Sequence, residues 1–415
     1  MRAFRGLADI TAHGYCMGCG LCTTVAPGAI AMELEPEGQI RPRAKRRLTE
    51  AEEARIVSLC PGVSVNGPFE APMQNPDPVW GDALRVVEGW ATDRETRFRA
   101  SAGGVMTAVN RYLLESGKAA FILQVAAGGP DALTSRPVLI RDPDDLLTGS
   151  QSRYGACAPL TLIEEALDLG EPFAVSLKPC DVAGVRNLQR QDPRARDLIV
   201  HTIAMFCGTV PDRSSSWDFL RRRQIDPCEN PPTAFRWRGN GCPGPTVATM
   251  ADGRAVEGSY NEMWTDNPYS TQFRCKICPD AVGLQSDIAT GDIWDNAVPT
   301  GETPGENAII AHTAVGLEVL NACEAEGRLT LHDAETDRLS QVQPHHLRLR
   351  QTWPARVAAA AVAGLPVPQF EALAAEDCTA QVSHEDLAET FRGTLARIQA
   401  GQGSEAPSDR GVGDA

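Results

Sequence analysis

The chain has 415 residues, 42% hydrophobic and 22% charged, and its 39 Lys and Arg against 54 Asp and Glu leave a net charge of −15. That length exceeds a single core and implies two or more, while the acidic balance argues against nucleic acid and anionic membrane surfaces, which need clustered Lys and Arg. No stretch reaches the ~18 uninterrupted apolar residues of a membrane span, and no apolar segment of signal-peptide length precedes Cys16.

A cytoplasmic location is therefore expected. In that reducing setting thirteen cysteines, an odd number, are metal ligands sooner than disulfides. Residues 1–65 form the first cysteine-bearing module. Cys16-Met-Gly-Cys19-Gly-Leu-Cys22 is a C-x2-C-x2-C run, and two-residue spacers with glycine let three thiolates converge from one tight loop, as a 4Fe-4S cluster requires. Bacterial ferredoxins continue with x3-C-P; here the matching dipeptide is Ala26-Pro27. The ligand for a partner cluster is lost, so this is a one-cluster module. Cys60, followed by Pro61, is the other cysteine of the module and is assigned as fourth ligand. Structural zinc is the alternative, although zinc sites usually show paired C-x2-C knuckles. Pro68, Pro72, Pro76 and Pro78 then punctuate residues 66–80, which read as an extended linker.

Residues 81–210 alternate helix and strand signals. Val105, Val109 and Leu113 recur on one helix face behind Ser101, read as its cap, with Gly117 as terminator. The apolar run 119–126 follows as a buried strand. The pattern repeats with a helix over 160–169, Gly170, and a strand over 173–177. Residues 198–206 are another continuous apolar run. Such alternation predicts an α/β layer with at least partly parallel strands. Next come a helix over 217–223, strands over 233–237 and 245–250, a hairpin turn at Asp252-Gly253 and a strand over 255–260. Residues 308–312, 315–325 and 329–332 add a β-α-β element. Beyond about 338 the pattern is helical, and a Gly/Ser/Asp-rich tail from Gly401 is expected to be disordered.

Cys275 and Cys278 form a second short-spaced pair, which cannot complete a site alone. Cys180 and Cys207 each follow an apolar strand, where α/β sheets build their sites. The four could hold a second 4Fe-4S cluster; equally, Cys180 and Cys207 could be buried small hydrophobes. Cys157, Cys228, Cys242, Cys323 and Cys378 receive no role. His345 and His346 are adjacent on a helix, do not share a face, and are read as exposed.

Several segments together resemble a known family: CMGCGLC (16–22), FRASAGGVMTA (98–108), SQSRYG (150–155), LKPCDVAGVRNL (177–188), FCG (206–208), FRCKICPD (273–280) and SDIATGDIW (286–294). The sequence is similar to the flavin-containing beta subunit of coenzyme F420 (deazaflavin) hydrogenases and dehydrogenases. That family also includes 7-hydroxymethyl chlorophyll a reductase and a ferredoxin-type divinyl chlorophyllide 8-vinyl reductase. The resemblance implies FAD in the α/β domain with 4Fe-4S clusters nearby, which favours Cys180, Cys207, Cys275 and Cys278 as the second ligand set. It suggests flavin contacts at Ser101, Gly103 and Gly104, where a Ser/Gly turn opening a helix suits a pyrophosphate; a plain helix start is the bland alternative. It places Arg153 and Tyr154 in a flavin-proximal loop, for phosphate pairing and ring stacking. It also puts Lys178 near the reduced flavin's anionic edge, as a weak catalytic candidate, though a solvated lysine is nearly as good a reading. Asp292 either orients a ligand or ends a strand.

The expected fold is α/β (α+β overall): a ferredoxin-like iron–sulfur module over 1–65, a linker over 66–80, a mixed-sheet α/β flavin-binding domain over 81–335, a helical region over 336–400 and a tail over 401–415. The leading expectation is an iron–sulfur flavoprotein oxidoreductase. It would pass electrons from a ferredoxin-like donor or other redox partner through the clusters to FAD and on to a small organic acceptor. The alternative is an electron-transfer beta subunit acting on coenzyme F420 within a larger complex. A non-enzymatic zinc or structural-cluster protein is the third reading.

Overall fold

Gly18 and Gly20 give the N-terminal cysteine loop its shape, with φ of +70° and +88°. A Cβ on Gly18 would come within 2.6 Å of Ile40 O, so this left-handed turn admits only glycine. The computed structural model describes residues 2–69, 76–264 and 270–403. Pro72 of the expected linker and all but the first three residues of the expected tail lie outside them. Behind the loop come an antiparallel hairpin of β1 (Ile30–Leu34) and β2 (Ile40–Ala44), helix α1 (Glu50–Leu59) and β3 (Ser64–Asn66). Thr49 starts α1 with a capping box: its side chain accepts from Glu52 N–H, and the Glu52 carboxylate accepts from Thr49 N–H. The helix stops at Cys60, in extended conformation.

The centre of the molecule is an eight-stranded mixed sheet, in agreement with the expected α/β class. Its strands are β4 (Arg85–Ala91), β5 (Phe121–Ala127), β6 (Ser135–Ile140), β7 (Phe173–Leu177), β8 (Ile199–Met205), and, after a separate sheet of β9 (Pro232–Arg236), β10 (Thr246–Met250) and β11 (Ala255–Gly258), β12 (Ile288–Asp292), β13 (Asn307–Ala311) and β14 (Leu329–Asp333). The order is β14-β4-β13-β12-β8-β7-β5-β6. The four middle strands run parallel and the outer ones pair antiparallel. Parallel strands covered on both faces need continuous apolar runs, and the middle strands supply them. Ile122, Ala174 and Ile203 face α2 (Val105–Glu115). Their neighbours Phe121, Leu123, Phe173, Val175 and Leu177 face α3 (Pro179–Gln191) through Val182, Val185 and Leu188. The four-residue helix α4 (Phe273–Lys276) precedes β12, and α5 (Ala314–Ala325) packs beside α2.

A buried ion pair ties α3 to the sheet. Arg186 Nη2 lies 3.1 Å from Asp287 Oδ1, its Nε donates to Gln285 O at 2.8 Å, and its Nη2 donates to Thr202 Oγ1 at 3.0 Å. Asp287 Oδ2 accepts from Thr202 N–H at 2.7 Å and Oδ1 from the Thr313 hydroxyl at 2.8 Å. Burial alone would raise the Asp287 pKa, but Arg186, His201 and these hydrogen bonds outweigh it and hold the carboxyl below its ordinary value.

The helical C-terminal region, led by α6 (Pro344–Val362), also contributes β15 (Gln369–Glu371), which pairs parallel with β3 of the N-terminal module. The structure departs from expectation at several local points. Ser101 caps nothing; α2 begins after Gly104 at φ +78°, and Asn307 Oδ1 accepts the Val105 N–H. The helix expected over 160–169 is a 3-10 turn (Pro159–Leu162) followed by a short α-helix (Ile163–Asp168). His345 is exposed, but His346 is partly buried with its ring 5.7 Å from Phe206. Burial pushes its pKa down to about 4, so it is neutral at pH 7. Among the described residues no helix is long and apolar enough to cross a membrane.

Replacing Asp287 with Asn should destabilise the fold by about 3 kcal/mol, because Arg186 is left buried without its counter-charge. The depressed folded pKa makes the Asp287 contribution present above the ordinary carboxylate range and lost as pH falls through the folded value. Urea denaturation across pH 3–7 should show the variant missing that acid-side loss; equal slopes for both proteins would contradict the assignment.

Candidate functional site

The parallel strands end on one edge of the sheet, and the cysteines expected at strand ends lie there. Leu177 closes β7 and Lys178-Pro179 lead into α3, with Cys180 in its first turn; Met205 closes β8, followed by Phe206 and Cys207. Cys207 N–H donates to Ala281 O at 2.8 Å, drawing the strand end to the loop after Cys278. Cys278 Sγ lies 3.2 Å from Asp280 O. Burial raises the Cys180, Cys207 and Cys278 pKa values. The charges of Cys207 and Cys278 add to the shift of Cys180, and that of Cys275 to the shifts of Cys207 and Cys278. The four thiols thus share one electrostatic neighbourhood.

Cys16, Cys19, Cys22 and Cys60 share another. Burial dominates the upward shifts of Cys19, Cys22 and Cys60, the last to about 12, and the thiols of the set add to one another's shifts. Gly18 N–H donates to Cys16 Sγ at 3.4 Å. All thirteen cysteines are free thiols. Among the described residues, no three His, Cys, Asp or Glu side chains form a group that could hold a metal ion. A mononuclear ion draws its thiolates to ~2.3 Å of one point, whereas a 4Fe-4S cluster seats each thiolate on a separate iron and so tolerates a wider set. Four cysteines brought to one neighbourhood suit a cationic iron–sulfur core, which stabilises the thiolate form.

Helix α3 runs between the two sets. Its Cys180 belongs to one; a Cβ on its Gly184 would be 3.3 Å from Leu21 and from Pro61, which flank Cys22 and Cys60 of the other. Lys178 Nζ, 14% exposed, contacts both carboxylate oxygens of Asp181 at 2.6 Å. Burial would lower the Lys178 pKa, but Asp181 and the thiols of Cys180 and Cys19 raise it on balance. Lys178 therefore stands among thiols of both sets, paired with a carboxylate.

The proposed flavin contacts gather elsewhere on the same edge. Ser101 Oγ accepts the Ser152 N–H at 2.5 Å, joining the Ser-Gly turn to the loop that carries Arg153 and Tyr154. The glycines leave no open cradle: a Cβ on Gly103 would meet Gly89 O and Asn307 within 3 Å, and one on Gly104 would meet Thr96 O at 3.0 Å. Close backbone packing explains both. The Tyr154 ring lies tilted against Trp264, with centroids 4.2 Å apart. Arg153 is different: its Nε is buried with no hydrogen-bond partner, and burial lowers its pKa. A buried guanidinium N–H lacking an acceptor fits an anionic group such as a phosphate.

Sequence reading did not single out Arg238, which holds this edge together. It is 2% exposed. Its Nη1 donates to Asp292 Oδ2 at 2.9 Å and its Nη2 to Ser101 O at 2.7 Å, with Tyr154 Oη 3.4 Å from Nη1. The guanidinium lies 4.8 Å over the Trp294 ring and 5.4 Å over Tyr260. One side chain thus joins the Ser101 turn, the Tyr154 loop, the end of β12 and the small sheet. The available signal was the run Arg238-Gly-Asn-Gly-Cys-Pro-Gly244, in which Gly239, Asn240, Gly241 and Gly244 all have positive φ.

Two family models match the chain, both describing the beta subunit of coenzyme F420 hydrogenase/dehydrogenase. The model of its N-terminal part covers residues 86–164, and the model of its C-terminal part covers 170–337, together more than half the chain. The chain is 26% identical to the F420-dependent formate dehydrogenase 1 subunit beta of Methanococcus maripaludis, across 60% of this chain and 58% of that one. It is 24% identical to the coenzyme F420-dependent sulfite reductase of Methanocaldococcus jannaschii, across 79% and 49%. For the coenzyme F420 hydrogenase subunit beta of Methanosarcina barkeri the figures are 24%, 65% and 86%. The match thus spans little more than half of the first relative and about half of the second. A chain of the F420-reducing NiFe hydrogenase complex from Methanosarcina barkeri superposes with a TM-score of 0.55 at 20% identity, covering 71% of this chain and 98% of that one. This establishes a shared fold.

Arg238→Leu should cost about 3 kcal/mol of stability by stranding Asp292 and Ser101 O. Equilibrium urea denaturation measures it; a loss under ~0.5 kcal/mol, typical of surface positions, would show that Arg238 does not anchor the edge.

Proposed function

This chain belongs to the coenzyme F420 hydrogenase/dehydrogenase beta-subunit family, and from that premise we propose that it is an oxidoreductase carrying electrons between a redox partner and the deazaflavin coenzyme F420. The relatives named for F420-linked formate, sulfite and hydrogen chemistry favour this beta-subunit reading over a self-contained reductase of another organic acceptor. The observation that carries it is that α3 bears Cys180 of one four-cysteine set in its first turn and packs through Gly184 on Leu21 and Pro61, which flank Cys22 and Cys60 of the other. Cys16, Cys19, Cys22 and Cys60 would hold one 4Fe-4S cluster, and Cys180, Cys207, Cys275 and Cys278 a second. Such clusters pass single electrons.

A flavin, which stores two electrons and delivers hydride, is the finer proposal. Its support is the buried, unpartnered Nε of Arg153, with Arg238 holding Ser101, Tyr154 and Asp292 in one wall. The glycines at 103 and 104 position the backbone of that wall instead of lining a cavity. We assign residues 1–65 to the electron port and 81–335 to the catalytic unit, with a ferredoxin-like carrier or partner subunit docking at the port. Free thiols throughout accord with a reducing compartment, so we place the protein in the cytoplasm.

Anaerobic purification should give about eight irons per chain, and the Cys275→Ser/Cys278→Ser double variant about four. Turnover of coenzyme F420 with a reduced viologen dye should be present in the parent and lost in the double variant. Turnover with another organic acceptor but none with F420 would restore the self-contained reductase. Protein lacking iron and any absorbance that bleaches on reduction would defeat both.

A further inference from the structure

Arg274 stands where the two thiol sets meet, and the function proposed above leaves it unexplained. It is 1% exposed. Its backbone N–H donates to Gly14 O at 2.9 Å, two residues before Cys16. Its side chain reaches the turn after Cys60, with Nε donating to Gly62 O at 2.9 Å and Nη2 to Pro61 O at 3.0 Å. In the chain it directly precedes Cys275. Its guanidinium lies 4.7 Å over the ring of Phe370 in β15, so the N-terminal module, α4 and the C-terminal region converge on this one side chain.

Its charge has no local answer. None of the ion pairs among the described residues includes Arg274, and its Nη1 is buried without a hydrogen-bond partner. A buried cation is costly unless other negative charge balances it. The Arg274 side chain is held beside Cys60 by Pro61 O and Gly62 O, and the next residue along the chain is Cys275 of the other set. Lys178 does not duplicate this arrangement, because Asp181 neutralises it at 2.6 Å. Residues 1–85 lie outside both matched family models, so Arg274 joins the N-terminal module to the part of the chain that those models cover.

We propose that Arg274 is a positioning residue shared by both thiol sets: it fixes the Cys60 turn against the 275–278 loop, and its charge sets the reduction potentials of both clusters together. The proposal rests on the two-cluster reading above. Reduction adds one negative charge to a cluster. A fixed cation in a low-dielectric interior favours that state.

The test uses the full chain, purified anaerobically, as Arg274→Gln and Arg274→Lys. Iron and sulfide are counted first, and the midpoint potentials of both clusters are then measured by EPR-monitored titration with dithionite. The expected result is unchanged iron in Arg274→Gln with both potentials lowered, and both moved back towards the parent in Arg274→Lys. Unchanged iron with only one potential shifted, or neither, overturns the proposal. If Arg274→Gln loses iron, Arg274→Lys decides: iron and both potentials near the parent support the proposal, and anything less reduces Arg274 to a packing residue and overturns it. A parent chain with fewer than about eight irons instead defeats the two-cluster reading on which the proposal stands.

Discussion

The contact between Arg186 and Asp287 holds the rest of the structure in place. It joins the middle of α3 to the start of β12 and, through Thr202, to β8. A pair buried this deeply stabilises only when its remaining donors and acceptors are satisfied. Gln285 O, Gln189, Thr202 and Thr313 satisfy them here. With α3 pinned at Arg186, its first turn has one available position, and Cys180 and Lys178 follow from it.

The N-terminal module depends on the same helix. Gly184 lets α3 approach Leu21 and Pro61 closely, and Asn187 donates to Leu59 O and Ser64 O, at the end of α1 and the start of β3. The C-terminal region closes the module from the other side. Tyr15 Oη donates to Pro366 O at 2.8 Å, and β15 adds a parallel strand to β3. Two segments far apart in sequence thereby enclose the loop of Cys16, Cys19 and Cys22. The second neighbourhood, by contrast, is built from the sheet itself, at the ends of β7 and β8. Arg238 organises a third area on that edge, where the small sheet meets the β12 end.

Much of the central layer was legible in the sequence. The apolar runs at β5, β7 and β8 announced buried parallel strands, and the 3.6-residue spacing of Val105, Val109 and Leu113 announced α2. What escaped notice were strands whose side chains do not read as apolar. β4 carries Glu88 and Gly89, β2 carries Arg41 and Arg43, and β6 is an edge strand with Arg136 and Pro137. Each is recruited by its neighbour's unpaired backbone groups more than by its own pattern. Ser101 illustrates the same limit. Its type and position suited a cap, but Asn307, some two hundred residues away, takes the Val105 N–H.

The sequence by itself determined which groups could serve as ligands and the local turns that present them. C-x2-C-x2-C with interleaved glycine bends one way, because left-handed backbone is open to Gly18 and Gly20 and closed to larger residues. It also determined that the middle strands would be buried on both faces. Tertiary structure alone decided which thiols became neighbours and that Arg238 and Arg274 would be the joints. The reason is physical. A buried cation is placed by acceptors contributed from distant segments, such as Pro61, Gly62, Ser101 and Asp292, and no spacing along the chain encodes where those acceptors meet.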